Sequence, residues 1–101
     1  MNRLKDEPKY VKLYLTSVPY LLGAEITKKD FSVLFAILKI LQGDNNEVVL
    51  ISNTKKRIAK EIGINVRSID NSITRLTKAK ILIRKDRGLY ILNPYIFGVK
   101  S

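Results

Sequence analysis

Eleven lysines and arginines stand between Thr54 and Arg87, against three acids, Glu61, Asp70 and Asp86. Eleven less three leaves +8, of +10 for the whole 101-residue chain, in about a third of its length. Such side chains hold anions; they do not by themselves break bonds. The residue types that usually break bonds are missing. With no histidine and no cysteine in the sequence, zinc held by imidazole or thiolate is excluded. So are Ser-His-Asp and Cys-His nucleophiles as usually assembled. The five glycines, at 23, 43, 63, 88 and 98, lie too far apart for a phosphate-cradling loop. No catalysis, cofactor or metal is expected, and the expected partner is a polyanion.

These cations need elements to position them. The stretch from Asn53 to Asn93 reads NTKKRIAKEIGINVRSIDNSITRLTKAKILIRKDRGLYILN. Ser52 or Asn53 caps a first helix. Its only apolar residues, Ile58, Ala59 and Ile62, suit a short helix resting one edge on a core. Gly63 stands where a left-handed residue ends a helix, with Ile64 packing back over that end. Asn65 caps a second helix, from Val66 to about Ala79. At 100° per residue Ile69, Ile73 and Leu76 share one side, with Val66 at its edge. Arg67, Asn71, Thr74 and Lys78 fall on the other, flanked by Ser68 and Arg75. Residues 81–85 and 89–92 then form two β runs, joined by a turn ending in a left-handed Gly88. Asn93-Pro94 closes the hairpin. Helix, glycine turn, helix and hairpin is the order of a winged helix-turn-helix. The fold class is α+β, mainly α, with helices packed on a small antiparallel sheet.

That order implies duplex DNA. The duplex carries about one charge per 1.7 Å of axis, and cations on a surface gain affinity by releasing its counterions. The major groove admits one helix, provided that helix buries one face and offers polar groups on the other. On the second helix Arg67 can fork onto guanine O6 and N7, and Asn71 can pair with adenine N6 and N7. Ser68 and Thr74 reach bases or phosphates. Thr54, Lys55, Lys56 and Arg57 open the preceding helix, where backbone N–H groups favour phosphate. Arg84, Lys85 and Arg87 sit at the hairpin tip, in reach of backbone or minor groove. Blander readings stand beside these. Lys78 and Lys80 are also what any solvated helix face carries. Arg75 has Asp70 or Glu61 as rival partners to DNA. Asn65 is better explained as a cap than as a base reader, and Tyr90 as a sheet residue than as a base-stacking one.

The rest of the chain supports or extends this stretch. Residues 1–8 read as a loose tail and residues 9–101 as one domain. KYVKLYL, residues 9–15, alternates in the manner of a strand, with an amphipathic helix as competitor. Thr16 caps a short helix through Leu22, tolerating Pro19 in its first turn. Thr27 and Asp30 form a capping box before a helix reaching to about Gln42. That helix carries two apolar stripes, Phe31-Leu34-Phe35-Leu38-Leu41 and Val33-Ile37-Ile40, which suit burial or a subunit interface. A turn at 43–46 and a β-rich run, EVVLI at 47–51, follow. The tail Tyr95-Ile96-Phe97 packs back on the domain. No run is long and apolar enough to span a bilayer, and MNRLKDEPKY has no signal-peptide apolar region. The expected compartment is the cytoplasm.

The run from Lys56 to Gly98 resembles the C-terminal half of plasmid replication initiators of the RepL type. The matching pieces are Ile58-Ala59 to Gly63, Ser68-Ile69 to Leu76, and Gly88 to Pro94, with GLYILNPYIFG the most specific; KYVKLYL and the apolar helix after it are also similar. The resemblance implies binding at a replication origin and recruitment of host replication proteins. It places DNA contacts at Arg67, Ser68, Asn71, Arg75, Arg84, Lys85 and Arg87. Many relatives continue beyond the position of Ser101, so a short member and a DNA-binding segment both stay open. Two rivals remain: a winged-helix repressor, which requires a firm dimer, and a basic protein-interaction module. A homodimer is possible for an initiator too, although an initiator could also load as a monomer.

Overall fold

The structure, a computed structural model, describes residues 10–41 and 46–100. The expected tail over residues 1–8 and all but the last residue of the expected turn at 43–46 fall outside these. The protein is mainly α within an α+β class, but its helices pack on two small antiparallel sheets where one was expected. Strand β1 (Tyr10–Leu13) opens the described chain. A 3-10 turn (Leu15–Ser17) leads into α1 (Val18–Gly23), then α2 (Lys28–Lys39). Strand β2 (Glu47–Val49) precedes α3 (Ser52–Ile62) and α4 (Val66–Lys78). The hairpin β3 (Leu82–Asp86) and β4 (Leu89–Leu92) follows, then β5 (Phe97–Lys100).

Alternation in KYVKLYL did mark a strand rather than a helix. Its partner is not the hairpin but the last described strand of the same chain. β1 pairs antiparallel with β5, from Tyr10 opposite Lys100 to Leu13 opposite Phe97. The other sheet has the order β2-β4-β3. Glu47, Val48 and Val49 face Ile91, Tyr90 and Leu89, so EVVLI adds a third strand to the hairpin.

The capping box at the start of α2 forms as expected. Asp30 N–H donates to Thr27 Oγ1 at 3.1 Å, and Thr27 N–H to Asp30 Oδ2 at 2.9 Å. The helix is shorter than expected: Ile40 N–H bonds back to Ile37 O at 3.0 Å, which tightens the last turn and ends it at Lys39. Val33, Leu34, Ala36 and Ile37 are buried. Phe31, Leu38 and Ile40 line the margin of the core. Phe35 is 59% exposed, so the first apolar stripe is not a single buried face.

Two expected caps do not form. Thr16 lies within the 3-10 turn, and α1 begins at Val18 with Ser17 as its N-cap and Pro19 in the first turn. The Ser17 hydroxyl donates instead to Tyr95 O at 2.7 Å, a carbonyl in the turn before β5. Ser52 and Asn53 lie inside α3, whose N-cap is Ile51, with no side-chain cap. The neighbouring sheet explains this. Leu50 is buried and its N–H bonds Gly88 O at 2.7 Å. The chain therefore enters the helix immediately after it, one residue ahead of the polar side chains.

Around one core these elements bring Val48 and Leu50, Ile58, Ile69, Ile73 and Leu76, and Ile81, Leu82 and Leu92. From the tail Ile96 and Phe97 join it, while Tyr95 stays 85% exposed. Among the described residues no helix is long and apolar enough to cross a membrane.

Candidate nucleic-acid interface

Local rules position α4. Asn65 Oδ1 accepts the Ser68 N–H at 2.8 Å, so Asn65 is a cap, as expected. Gly63 before it takes φ +74°, where a Cβ is strained, and turns the chain from α3 into α4. Ile69, Ile73 and Leu76 are buried, which places Arg67, Asn71, Thr74 and Lys78 in solvent and Ser68 at the margin. The helix ends unusually: Lys80, not glycine, adopts a left-handed φ of 64°. Lys80 N–H bonds Thr77 O at 3.0 Å and Ile81 N–H bonds Leu76 O at 2.9 Å, while the Lys80 carbonyl accepts Asn93 Nδ2–H at 2.8 Å.

Ser72 was not singled out from the sequence, yet it is wholly buried on α4. Its hydroxyl donates to Asp30 Oδ1 at 2.6 Å. Arg75 forks onto the same carboxylate, Nε to Oδ2 at 2.7 Å and Nη2 to Oδ1 at 2.8 Å. With the Thr27 N–H, Asp30 accepts four hydrogen bonds and has no exposed surface. Burial pushes its carboxyl up, but the bonds from Arg75, Ser72 and Thr27 outweigh this and hold it well below the usual carboxylate range. The bond to Asp30 pushes the Arg75 guanidinium up in turn. Neither rival named from the sequence pairs with Arg75. Asp70 takes Lys55 at 2.8 Å, joining α3 to α4, and Glu61 takes Lys39 at 2.9 Å. A polar residue on the apolar side of α4 was the available signal for Ser72; nothing local pointed from Asp30 to a helix some forty residues away.

The other expected contact residues divide into spent and free groups. Thr74 Oγ1 donates to Asp70 O at 3.0 Å. Lys55 is held by Asp70, and Thr54 is half-buried. Lys56 and Arg57 on α3, Arg67 and Lys78 on α4, and Lys85 and Arg87 at the hairpin tip are exposed. Among the described residues none of these six forms an ion pair. Arg84 is exposed and makes one long bond, Nε to Asp86 O at 3.4 Å. The hairpin turn has the expected left-handed glycine, Gly88 at φ +74°, with a register shift between Arg84 and Asp86. Tyr90 packs against the core from within the sheet, as its β environment suggested.

Fold and surface together define a class: a small, strongly basic, mainly-α α+β protein. Among the described residues, unpaired cations stand on the exposed face of α4, at the start of α3 and at the hairpin tip, with others, Lys28, Lys29, Lys60 and Lys80, exposed elsewhere. The chain belongs to the RepL family of Firmicute plasmid replication proteins, whose profile matches residues 2–99. It is a plasmid replication protein, in agreement with the resemblance carried by GLYILNPYIFG. Searches among curated proteins and among solved structures returned no match.

Proposed function

We propose that this protein binds duplex DNA sequence-specifically, as the origin-binding component of plasmid replication, and acts by binding rather than by catalysis. The observation carrying this reading is the division of α4. Ile69, Ile73 and Leu76 are buried, and Arg67 and Asn71 stand exposed on the opposite side of the same helix. In this reading the unit from α2 to β4 is a winged helix-turn-helix. The order α2-β2-α3-α4-β3-β4, with β3 and β4 as the wing, supports it. Arg67 and Asn71 read base edges. Lys56 and Arg57, with Arg84, Lys85 and Arg87 on the wing, hold phosphates. Arg75 moves to a supporting place, since two of its donors are engaged by Asp30. Host replication proteins are the further partners this reading requires, and the cytoplasm is where it acts.

The test has two parts. Affinity for duplex DNA is measured across salt concentrations, where the slope of log K against log salt should be about −0.9 per phosphate contacted. A flat slope would favour the protein-interaction alternative. Selection from a random duplex pool followed by footprinting should then locate sites within a replication origin. A single promoter palindrome, with no effect of the protein on plasmid copy number, would replace the initiator reading with that of a repressor.

A further inference from the structure

The buried carboxylate between α2 and α4 has more contacts than helix capping requires. Two of its four hydrogen bonds come from Arg75 and one from Ser72, three residues apart and so about one turn along α4. Apolar contacts between helices fix which side is buried but resist small slides and rotations less sharply than directional bonds do, because dispersion has little directional preference. A guanidinium fork with an added hydroxyl bond tolerates neither, since bidentate geometry fixes both distance and plane. A buried ion pair is a poor source of stability when compared with apolar packing of the same volume. Its distinctive effect here is geometric. It sets how α4 is rotated about its own axis and where it sits along that axis, relative to α2. Burial of Ile69, Ile73 and Leu76 already excludes a rotation as large as about 100°; the fork acts on shifts of about 10–20°, enough to move Arg67 and Asn71 out of register with base edges.

We propose that Asp30 is a positioning residue for DNA recognition: through Ser72 and the Arg75 fork it holds α4 at the rotation that presents Arg67 and Asn71 to the bases. The inference rests on the DNA-binding reading above. Asp30 itself is wholly buried and so lies out of direct reach of DNA. It acts by restricting α4 to one presentation, because a base-reading constellation requires placement within about 0.5 Å and 10–20°.

The experiment compares wild type with Asp30→Asn, Ser72→Ala and Arg75→Lys. Affinity for the selected duplex and for random duplex is titrated across salt, at a temperature where circular dichroism shows each protein folded. Asp30→Asn and Arg75→Lys should lower the ratio of selected to random affinity by about tenfold, comparable to one mismatched base pair. Ser72→Ala should lower it less. For Asp30→Asn and Ser72→Ala, random-duplex affinity and its salt slope should stay as in wild type. A carboxylate that only stabilised the fold would leave that ratio intact wherever the protein is folded. A retained ratio in Asp30→Asn therefore overturns the inference, and if that variant does not fold, a retained ratio in both Ser72→Ala and Arg75→Lys does so. If wild type itself fails to prefer the selected duplex, the DNA reading falls, and the inference with it. A wild type that discriminates beside variants that discriminate equally removes the inference alone.

Discussion

Helices α3 and α4 are adjacent, nearly equal in length and both basic, but they are held by different means. α3 carries Lys55, Lys56, Arg57 and Lys60 within six residues. It has no side-chain cap, and Ile58 and Ala59 are its fully buried residues. α4 carries fewer cations and is anchored more heavily. Asn65 caps it, Ile69, Ile73 and Leu76 enter the core, and Ser72 and Arg75 bond the buried Asp30. Charge density is therefore a poor guide to which of two basic helices is placed with precision. If the protein binds DNA as proposed, the denser one needs only to sit near a diffuse field of phosphates, whose attraction falls off gradually over a Debye length of about 8–10 Å. In the proposed reading the sparser one must meet donors and acceptors at fixed positions, and it is tied by a fork onto a wholly buried carboxylate, whereas the ion pairs of α3, Lys55 with Asp70 and Glu61 with Lys39, lie nearer the surface.

The largest effect that would test this contrast is on stability. Arg75→Ala leaves a buried, ionised carboxylate without its fork. A buried pair broken in this way costs about 3–5 kcal/mol, and because the Arg75 side chain is 39% exposed the expected loss is smaller, about 2–3 kcal/mol. Urea unfolding measures it, and a loss below 0.5 kcal/mol would remove the anchoring half of the comparison. The same anchor sets a response to acid. The folded-state pKa of Asp30 lies below its ordinary value of 3.8, so its contribution to stability is fully present above that pH. It is lost as pH falls below 3.8 toward the lowered folded value. Unfolding titrated between pH 5 and pH 2 should show this loss in wild type and a much flatter profile in Asp30→Asn; parallel profiles would contradict it.

Next come the binding contrasts. Arg67→Ala on α4 should cost roughly 1–3 kcal/mol on the selected duplex and relax its sequence preference, with little change on random DNA. Lys56→Ala on α3 should weaken all duplexes alike and reduce the salt slope by about one. Equal losses of Arg67→Ala on both kinds of DNA, or an unchanged slope in Lys56→Ala, would erase the division of labour between the helices. The smallest contrast lies in their first turns. Asn65→Ala removes a formed cap and should cost about 1 kcal/mol. Asn53→Ala removes a side chain that caps nothing and should stay within about 0.5 kcal/mol of wild type. Thermal melts of the two variants side by side decide whether the capping difference has the energetic weight its geometry suggests.

What was legible in the sequence follows the reach of the rules involved. The Thr27-Asp30 box, the left-handed Gly63 and Gly88 and the Asn65 cap depend on residues within four positions of one another, and all were correctly placed. The exposed side of α4 was legible because a helical period divides 13 residues cleanly. Distant partners overrode local preference elsewhere. Leu50, bonded to the hairpin turn, moved the start of α3 ahead of Ser52 and Asn53. Thr16, expected as a cap, is taken into a 3-10 turn, and α1 starts two residues later at Val18. Asp30 looked like a purely local cap, and its bonds to Ser72 and Arg75 required knowing that α2 crosses α4. Asn93, read as the end of a hairpin, also holds the Lys80 carbonyl and accepts the Tyr95 N–H at 2.9 Å. A short motif thus concealed a junction between α4, β4 and the chain leading to β5.

The pairing of β1 with β5 has a consequence for the order in which the protein assembles. Leu13 and Phe97 are register partners 84 positions apart. Closing so long a loop is entropically costly, yet the cost grows only with the logarithm of its length. The slower matter is that the first described strand must await the last, and contacts this distant in sequence form late. A two-stranded ribbon has little stability of its own. Its amides should therefore exchange with deuterium well before those of α4 and the three-stranded sheet, by a local opening that leaves the helices folded. In refolding, the α2-to-β4 unit can therefore form first, and β1 and β5 then close over a body already formed.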